Sequence, residues 1–131
     1  MEQEIGYYFN MKKLSYKNEI IRSMNFLKKN KKVIFIGQSV KFSGNAIFNT
    51  LAKISDKKKI ELPVFEETQM GMSIGLALKG YIPITCYPRF DFLLCAMNQL
   101  VNHLDKIRSM SDGEFRPRVI IRTSIGPKKP L

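Results

Sequence analysis

Four short apolar segments alternate with helical patterns along this chain, and this alternation most constrains its fold. The clearest segment is 33–36, four consecutive apolar residues that suit a strand buried on both faces. The other three strands are predicted at 62–65, 81–87 and 118–123. Strands that alternate with helices imply a mostly parallel sheet with right-handed crossover connections. The sequence therefore predicts an α/β fold.

Helices are predicted where apolar residues recur three or four positions apart. The first helix follows Ser15, a residue type that caps helix N-termini, and ends near residue 28. The others are predicted at 45–54, 67–79 and 90–110, and a turn is predicted at 56–59. The inner stripe of the longest helix is predicted to be Leu93, Met97, Leu100, Val101 and Leu104.

Length and composition predict one globular domain over residues 1–131, with 1–13 as a loose lead-in. The 131 residues are 44% hydrophobic, enough for a modest core. No apolar run reaches the roughly 18 residues that a membrane span needs. The first six residues lack the basic and then apolar order of a signal peptide. We therefore expect a cytosolic protein with no membrane partner.

The formal net charge is +11, from 22 Lys and Arg against 11 Asp and Glu. Much of the excess lies in lysine pairs and runs, such as 57–59, at predicted helix ends and loops. These lysines lack interleaved aromatic residues or an Arg-Gly pattern. We interpret them as solvated surface and do not expect nucleic-acid binding, although charge alone leaves that class open.

Cys86 and Cys95 lie nine residues apart, and with the single His103 they do not have the spacing of metal ligands. We predict that both cysteines are small buried hydrophobic residues and that the chain holds no metal of its own. For His103 we expect a structural or surface role.

The stretch 63–80 is the most informative for function. A short apolar run ends in Glu66, and a helical pattern containing Gly71, Gly75 and Gly80 begins at once. A carboxylate at the end of a strand lies where α/β sheets bind ligands. Glycine inside a helix costs about 0.5–1 kcal/mol relative to alanine, so we expect these glycines to allow close packing against a neighbouring backbone.

An ordered set of residues continues this pattern without gaps through 60–126. The set comprises Pro63, Glu66, Gly71, Gly75, Gly80, Pro83, Phe90, Phe92, Gln99, Asn102, Lys106, Met110, Ser111, Gly113, Arg122 and Gly126. In this order it resembles the pyrimidine-binding domain of thiamine-diphosphate enzymes, which are transketolase-like. The closest resemblance is to the beta subunit of 2-oxo acid dehydrogenases of the pyruvate and branched-chain type. Residues 33–48 match more loosely, with Gln38 where the family usually has an acid.

The resemblance implies a three-layer α/β sandwich with a flavodoxin-like sheet, here incomplete. It implies that the chain holds the aminopyrimidine of thiamine diphosphate through Glu66, Val64 and Phe92. It also implies an alpha-type partner subunit that holds the diphosphate and its Mg²⁺, in a hetero- or homo-oligomer that acts on a 2-oxo acid. Glu67, one residue later, is expected to face elsewhere and to complement the helix dipole.

Glu66 has a definite chemical role in this resemblance. The cofactor carbon that attacks the 2-oxo group must first lose a proton, and the protein tunes that step. A buried carboxyl that is hydrogen-bonded to a pyrimidine ring nitrogen can share a proton with the ring. Aspartate would be one methylene too short, and glutamine could not transfer the proton.

Three hypotheses follow. The first is a beta-subunit-like part of a 2-oxo acid dehydrogenase, an oxidoreductase subunit that is incomplete on its own, since a histidine-bearing loop and a C-terminal domain of the family lie beyond it. The alternative is a non-catalytic binding or assembly module, or a truncated remnant of such a subunit. The third is a basic domain that binds nucleic acid or another polyanion, which would show a steep salt dependence.

Overall fold

The computed structural model describes residues 15–126, so the predicted lead-in at 1–13 lies outside the described residues. The strands are β1 (Val33–Gly37), β2 (Lys59–Glu61), β3 (Ile82–Tyr87) and β4 (Ile120–Thr123). All of them pair in parallel, in the order β2-β1-β3-β4. This is the order of the first four strands in flavodoxin-like sheets, and it confirms the predicted fold class.

The helices are α1 (Tyr16–Leu27), α2 (Ala46–Leu51), α3 (Glu66–Leu78), α4 (Phe90–Leu94) and α5 (Ile107–Met110). A π-helix, Gln99–Leu104, lies between α4 and α5, and a 3₁₀ turn, Asp56–Lys58, precedes β2. The polar residues Ser15 and Asn45 cap α1 and α2, since their side-chain oxygens accept from Asn18 N (3.4 Å) and Phe48 N (2.8 Å).

Helices cover both faces of the sheet, which gives the three layers. On one face, α1 and α2 pack over a cluster that includes Met24, Phe35, Ile47, Leu51 and Ile84. On the other face, α3 and the helical segment after β3 pack over Met70, Ile74, Tyr87, Leu93 and Ala96. Burial of the sheet between two helical layers explains why β1 and β3 are almost continuously apolar.

The second strand differs from the prediction. It is formed by Lys59–Glu61, whereas the predicted strand at 62–65 is a loop in which Val64 is 70% exposed. Pro63 has no N–H to donate to a strand ladder, which ends the pairing. The charge of Lys59 concealed the strand, because its buried stem carries the ammonium group to Asp56 (3.2 Å).

The predicted helix at 90–110 is helical but not uniform. Its backbone turns at residues 95–96 and then widens into the π-helix. The extra residue in the π-helix rotates the side chains that follow. Leu100 and Leu104 pack against the core as predicted, together with Ile107. Val101 in the π-helix and Met97 before it, both predicted to be internal, are exposed.

The structure also tests the predictions made for the cysteines and for the glycines of α3. Cys86 is fully buried as predicted, but Cys95 is exposed. A Cβ atom at Gly75 would meet no atom within 4 Å, and one at Gly71 would lie 3.6 Å from Gln99 Oε1. The expected close packing of these glycines on a backbone is therefore absent from the described part of the chain.

None of the described helices combines the length and apolar character needed to cross a membrane. The cytosolic location stays a prediction.

Candidate functional site

The candidate site lies at the carboxyl ends of the neighbouring strands β1 and β3, where the connections that follow them lead in opposite directions along the sheet. After β1 the chain crosses to β2, and after β3 it crosses to β4, on opposite sides of this pair. Ligands of open α/β sheets bind at the carboxyl ends of strands at such a switch point. Gly37 and Tyr87 end the two strands there.

Glu66 is brought to this point as the first residue of α3. The preceding Phe65 has extended φ (−145°) and makes no side-chain cap, so the carboxylate of Glu66 lies in the first turn, where the helix dipole favours negative charge. The residue is only 8% exposed. Although the predicted strand before Glu66 is a loop, the acid still opens the helix as predicted.

Two partners fix Glu66. Its Oε1 atom accepts a hydrogen bond from Gln38 Nε2 at 3.1 Å, and the Tyr87 hydroxyl donates to its backbone oxygen at 3.3 Å. Among the described residues no donor reaches Oε2. Burial raises the pKa of Tyr87 to about 12, so this phenol remains a donor at neutral pH. The carboxyl thus presents one engaged and one free oxygen.

Glu67 points away from Glu66, as predicted. It is exposed, and its Oε1 accepts from Asn98 Nδ2 at 2.6 Å and from Gln99 Nε2 at 3.4 Å. The donated bond from Asn98, with that from Gln99, lowers the pKa of the Glu67 carboxyl. Glu67 is therefore held ionised on the surface of α3.

Val64 and Phe92, the other predicted site residues, lie on the segments that flank Glu66 and β3. Val64 is exposed in the loop before α3. Phe92 is half-buried against the α3 side of the core, and the Arg89 guanidinium lies over its ring, 4.6 Å from the centroid. Contact between either residue and a cofactor stays a prediction. His103, for which a structural or surface role is predicted, is exposed.

Gln69 is a site residue that the sequence reading missed. It is fully buried on the same face of α3, where its Nε2 donates to Thr85 Oγ1 at 2.8 Å and to Cys86 O at 3.1 Å. Its Oε1 is buried and accepts from no described residue. The sequence did contain one signal for Gln69: it is a polar residue three positions after Glu66, on the apolar side of the predicted helix.

Gly37 lets these groups approach. A Cβ atom there would lie 2.1 Å from Cys86 O and 2.9 Å from Gln69 Nε2, and its φ of +147° favours glycine. Glycine at the end of β1 therefore allows α3 and the end of β3 to come together beneath the candidate site.

Apolar side chains are unusually exposed on the segments around the site. They include Val64, Phe65, Phe90, Leu94, Met97 and Val101. The described residues contain no group of three or more His, Cys, Asp or Glu side chains that could hold a metal ion. Three clefts elsewhere in the described part of the chain are lined by residues other than Glu66.

Comparison with known proteins identifies several related beta subunits of one enzyme complex. No protein-family model matches the chain. The chain is 33% identical over 93 residues to the pyruvate dehydrogenase E1 component subunit beta of Gracilaria tenuistipitata var. liui, which covers 69% of this chain and 29% of the relative. Against the same subunit of Cyanidium caldarium it is 32% identical over 106 residues, or 79% of this chain and 32% of the relative.

A chloroplastic relative gives the same result. The beta-3 subunit of Oryza sativa subsp. japonica is 30% identical over 99 residues, 73% of this chain and 25% of the relative. The chain thus spans less than a third of the length of these curated relatives. Within that span the resemblance seen in the motifs is confirmed: the chain is related to one part of the pyruvate dehydrogenase E1 beta subunits.

Proposed function

We propose that this chain is a single pyrimidine-binding domain that serves as the beta-subunit-like part of a thiamine-diphosphate-dependent 2-oxo acid dehydrogenase. The observation that carries the proposal is the Glu66 carboxyl, buried at the switch point of the sheet with one oxygen free of described donors. The relatedness to pyruvate dehydrogenase E1 beta subunits supports the same reading.

The residues present fit the pyrimidine half of the cofactor. In this proposal the free oxygen of Glu66 meets a ring nitrogen and moves a proton to or from it, while Gln38 and the Tyr87 hydroxyl keep the carboxyl in place. Val64 and Phe92 supply apolar surface beside the ring. When bound, the cofactor supplies the carbanion chemistry at its thiazolium ring.

The diphosphate and Mg²⁺ are assigned to a partner in this proposal. No acidic or metal-ligating cluster occurs in residues 15–126 that would hold the ion. The exposed apolar side chains near the site, such as Phe65, Phe90 and Leu94, suit a surface covered by another chain. We therefore propose an alpha-type subunit as partner, in a hetero-oligomer acting on a 2-oxo acid.

The test is to co-express the full chain with a candidate alpha-type subunit and to titrate thiamine diphosphate with Mg²⁺. Exchange of the thiazolium C2 proton and decarboxylation of a 2-oxo acid are measured for wild type and for Glu66→Gln. Loss of a positioned acid–base group should slow both by about 10²–10⁴-fold. The matched control is Glu67→Gln, which removes the neighbouring exposed acid and should leave both rates near wild type.

Two outcomes would contradict the proposal. If Glu66→Gln and wild type exchange the C2 proton equally fast, Glu66 has no role in activation. If the wild-type assembly forms but never activates the cofactor, the alternative function, a non-catalytic binding or assembly module, is correct.

A further inference from the structure

Three neighbouring strands begin around one cleft at the edge of the sheet opposite Glu66. Lys32 precedes β1, Tyr81 precedes β3, and Arg116 and Arg118 precede β4. These residues line a cleft of about 290 Å³ together with Asn30. The cleft is separate from the candidate site, which lies at the carboxyl ends of the strands.

Every charged side chain that lines this cleft is a cation. Among the described residues Lys32, Arg116 and Arg118 form no ion pair. Arg116 Nε donates to Gly113 O at 2.8 Å, which anchors that guanidinium and leaves its two terminal nitrogens free. A larger neighbouring cleft shares both arginines and adds Arg108, but Asp105 offsets one of its three cations. The smaller cleft keeps three cations and no acid, so it has the higher net positive charge.

One lining element, the C-terminal end of α3, carries the partial negative charge of the helix dipole. The end of α3 faces the cleft, but its Leu76 and Ala77 carbonyls already accept from Tyr81 N (3.0 Å) and Gly80 N (3.0 Å). Asn30 Oδ1 accepts from Lys32 N at 2.9 Å, which leaves the Asn30 amide N–H groups as donors. The Tyr81 ring is 42% exposed and offers an apolar surface beside the cations.

We propose that this cleft binds the phosphate group of a small phosphorylated molecule. Guanidinium groups donate paired hydrogen bonds to phosphate oxygens, and two arginines with a lysine supply the charge that a phosphate dianion needs. The cations line a recess at the lower end of the size range of small-molecule sites. An acidic protein segment would instead need an extended basic face.

The experiment measures binding of inorganic phosphate and of AMP to the full chain by isothermal titration calorimetry at low salt. Because charge-assisted hydrogen bonds contribute more to binding than neutral ones, Arg116→Gln with Arg118→Gln should weaken binding of both probes by about tenfold or more. The charge-matched control is Lys53→Gln with Lys57→Gln, two exposed lysines outside the cleft, which should leave affinity unchanged. Arg118→Lys keeps the charge but loses the paired donors, and it should also weaken binding.

The two probes distinguish the source of the phosphate. Tighter binding of AMP than of phosphate, with a loss in Tyr81→Ala confined to AMP, identifies a phosphate ester whose organic part contacts Tyr81. Equal affinities identify a site for free phosphate. The proposal is overturned if neither probe gives saturable binding, if the control weakens binding as much as the arginine variant, or if only a polyanion such as an RNA oligonucleotide binds.

Discussion

Replacement of Gly37 by alanine tests the close approach that builds the candidate site. The new Cβ would lie 2.1 Å from Cys86 O, a backbone atom of the paired strand that cannot move aside independently. Overpacking of this kind costs about 1–3 kcal/mol, and holding a non-glycine residue at φ +147° costs about 1–3 kcal/mol more. We expect the free energy of unfolding to fall by about 2–6 kcal/mol, a large fraction of the stability of a small domain.

The measurement is urea denaturation of the full chain followed by circular dichroism. The matched control is Gly75→Ala, since Gly75 lies within α3 and its new Cβ would meet no atom within 4 Å. That variant should gain about 0.5–1 kcal/mol from the better helix propensity of alanine. The reasoning fails if Gly37→Ala unfolds at the wild-type urea concentration, or if the two variants change stability in the same direction.

Two further predictions concern the core. Burial raises the pKa of Cys86 and of Tyr87 to about 12, from 9.0 and 10.0. In the unfolded chain the Cys86 thiol and the Tyr87 phenol ionise at lower pH than in the folded chain. The free energy of unfolding should therefore be highest below about pH 9 and should fall as pH rises toward 12. This fall in unfolding free energy with pH, measured by urea denaturation, should be shallower in Cys86→Ala than in wild type. Equal pH dependence in the two proteins would contradict the role of Cys86. In the π-helix, Leu104→Ala should cost about 1–3 kcal/mol of unfolding free energy and Val101→Ala under about 0.5 kcal/mol, whereas similar costs at the two positions would indicate a regular helix.

The sequence predicted the order of strands and helices because burial on both faces leaves long apolar runs in β1 and β3. It misplaced β2, which lies at the edge of the sheet and contains a lysine. Lys59 is buried along its stem while its ammonium group meets Asp56, and residue-type patterns treat it as surface. Only the position of Asp56 in space shows how that charge is accommodated.

The predicted inner stripe of the helix at 90–110 was partly wrong for a different reason. A 3.6-residue period predicts one inner stripe of Leu93, Met97, Leu100, Val101 and Leu104. In the structure Leu93, Leu100 and Leu104 pack in the core cluster, whereas Met97 and Val101 are exposed. The π-helix changes the helical phase within this stripe. No residue type marks such a shift, since it arises from packing against α3. Tertiary contacts rather than local preference therefore decide which side of this segment remains available to another chain.

The contact between Gln38 and Glu66 is the part of the site that neither pattern nor resemblance supplied. The resemblance places an acid at position 38, and two carboxyls 3.1 Å apart would have to share a proton, since both could not be ionised there. In the structure the glutamine amide is the donor, and Glu66 Oε1 accepts. Since Oε1 already accepts this bond, Oε2 is the oxygen that the proposed contact with a ring nitrogen would use. The substitution therefore preserves the position of the carboxyl while it removes one proton-sharing partner from the site.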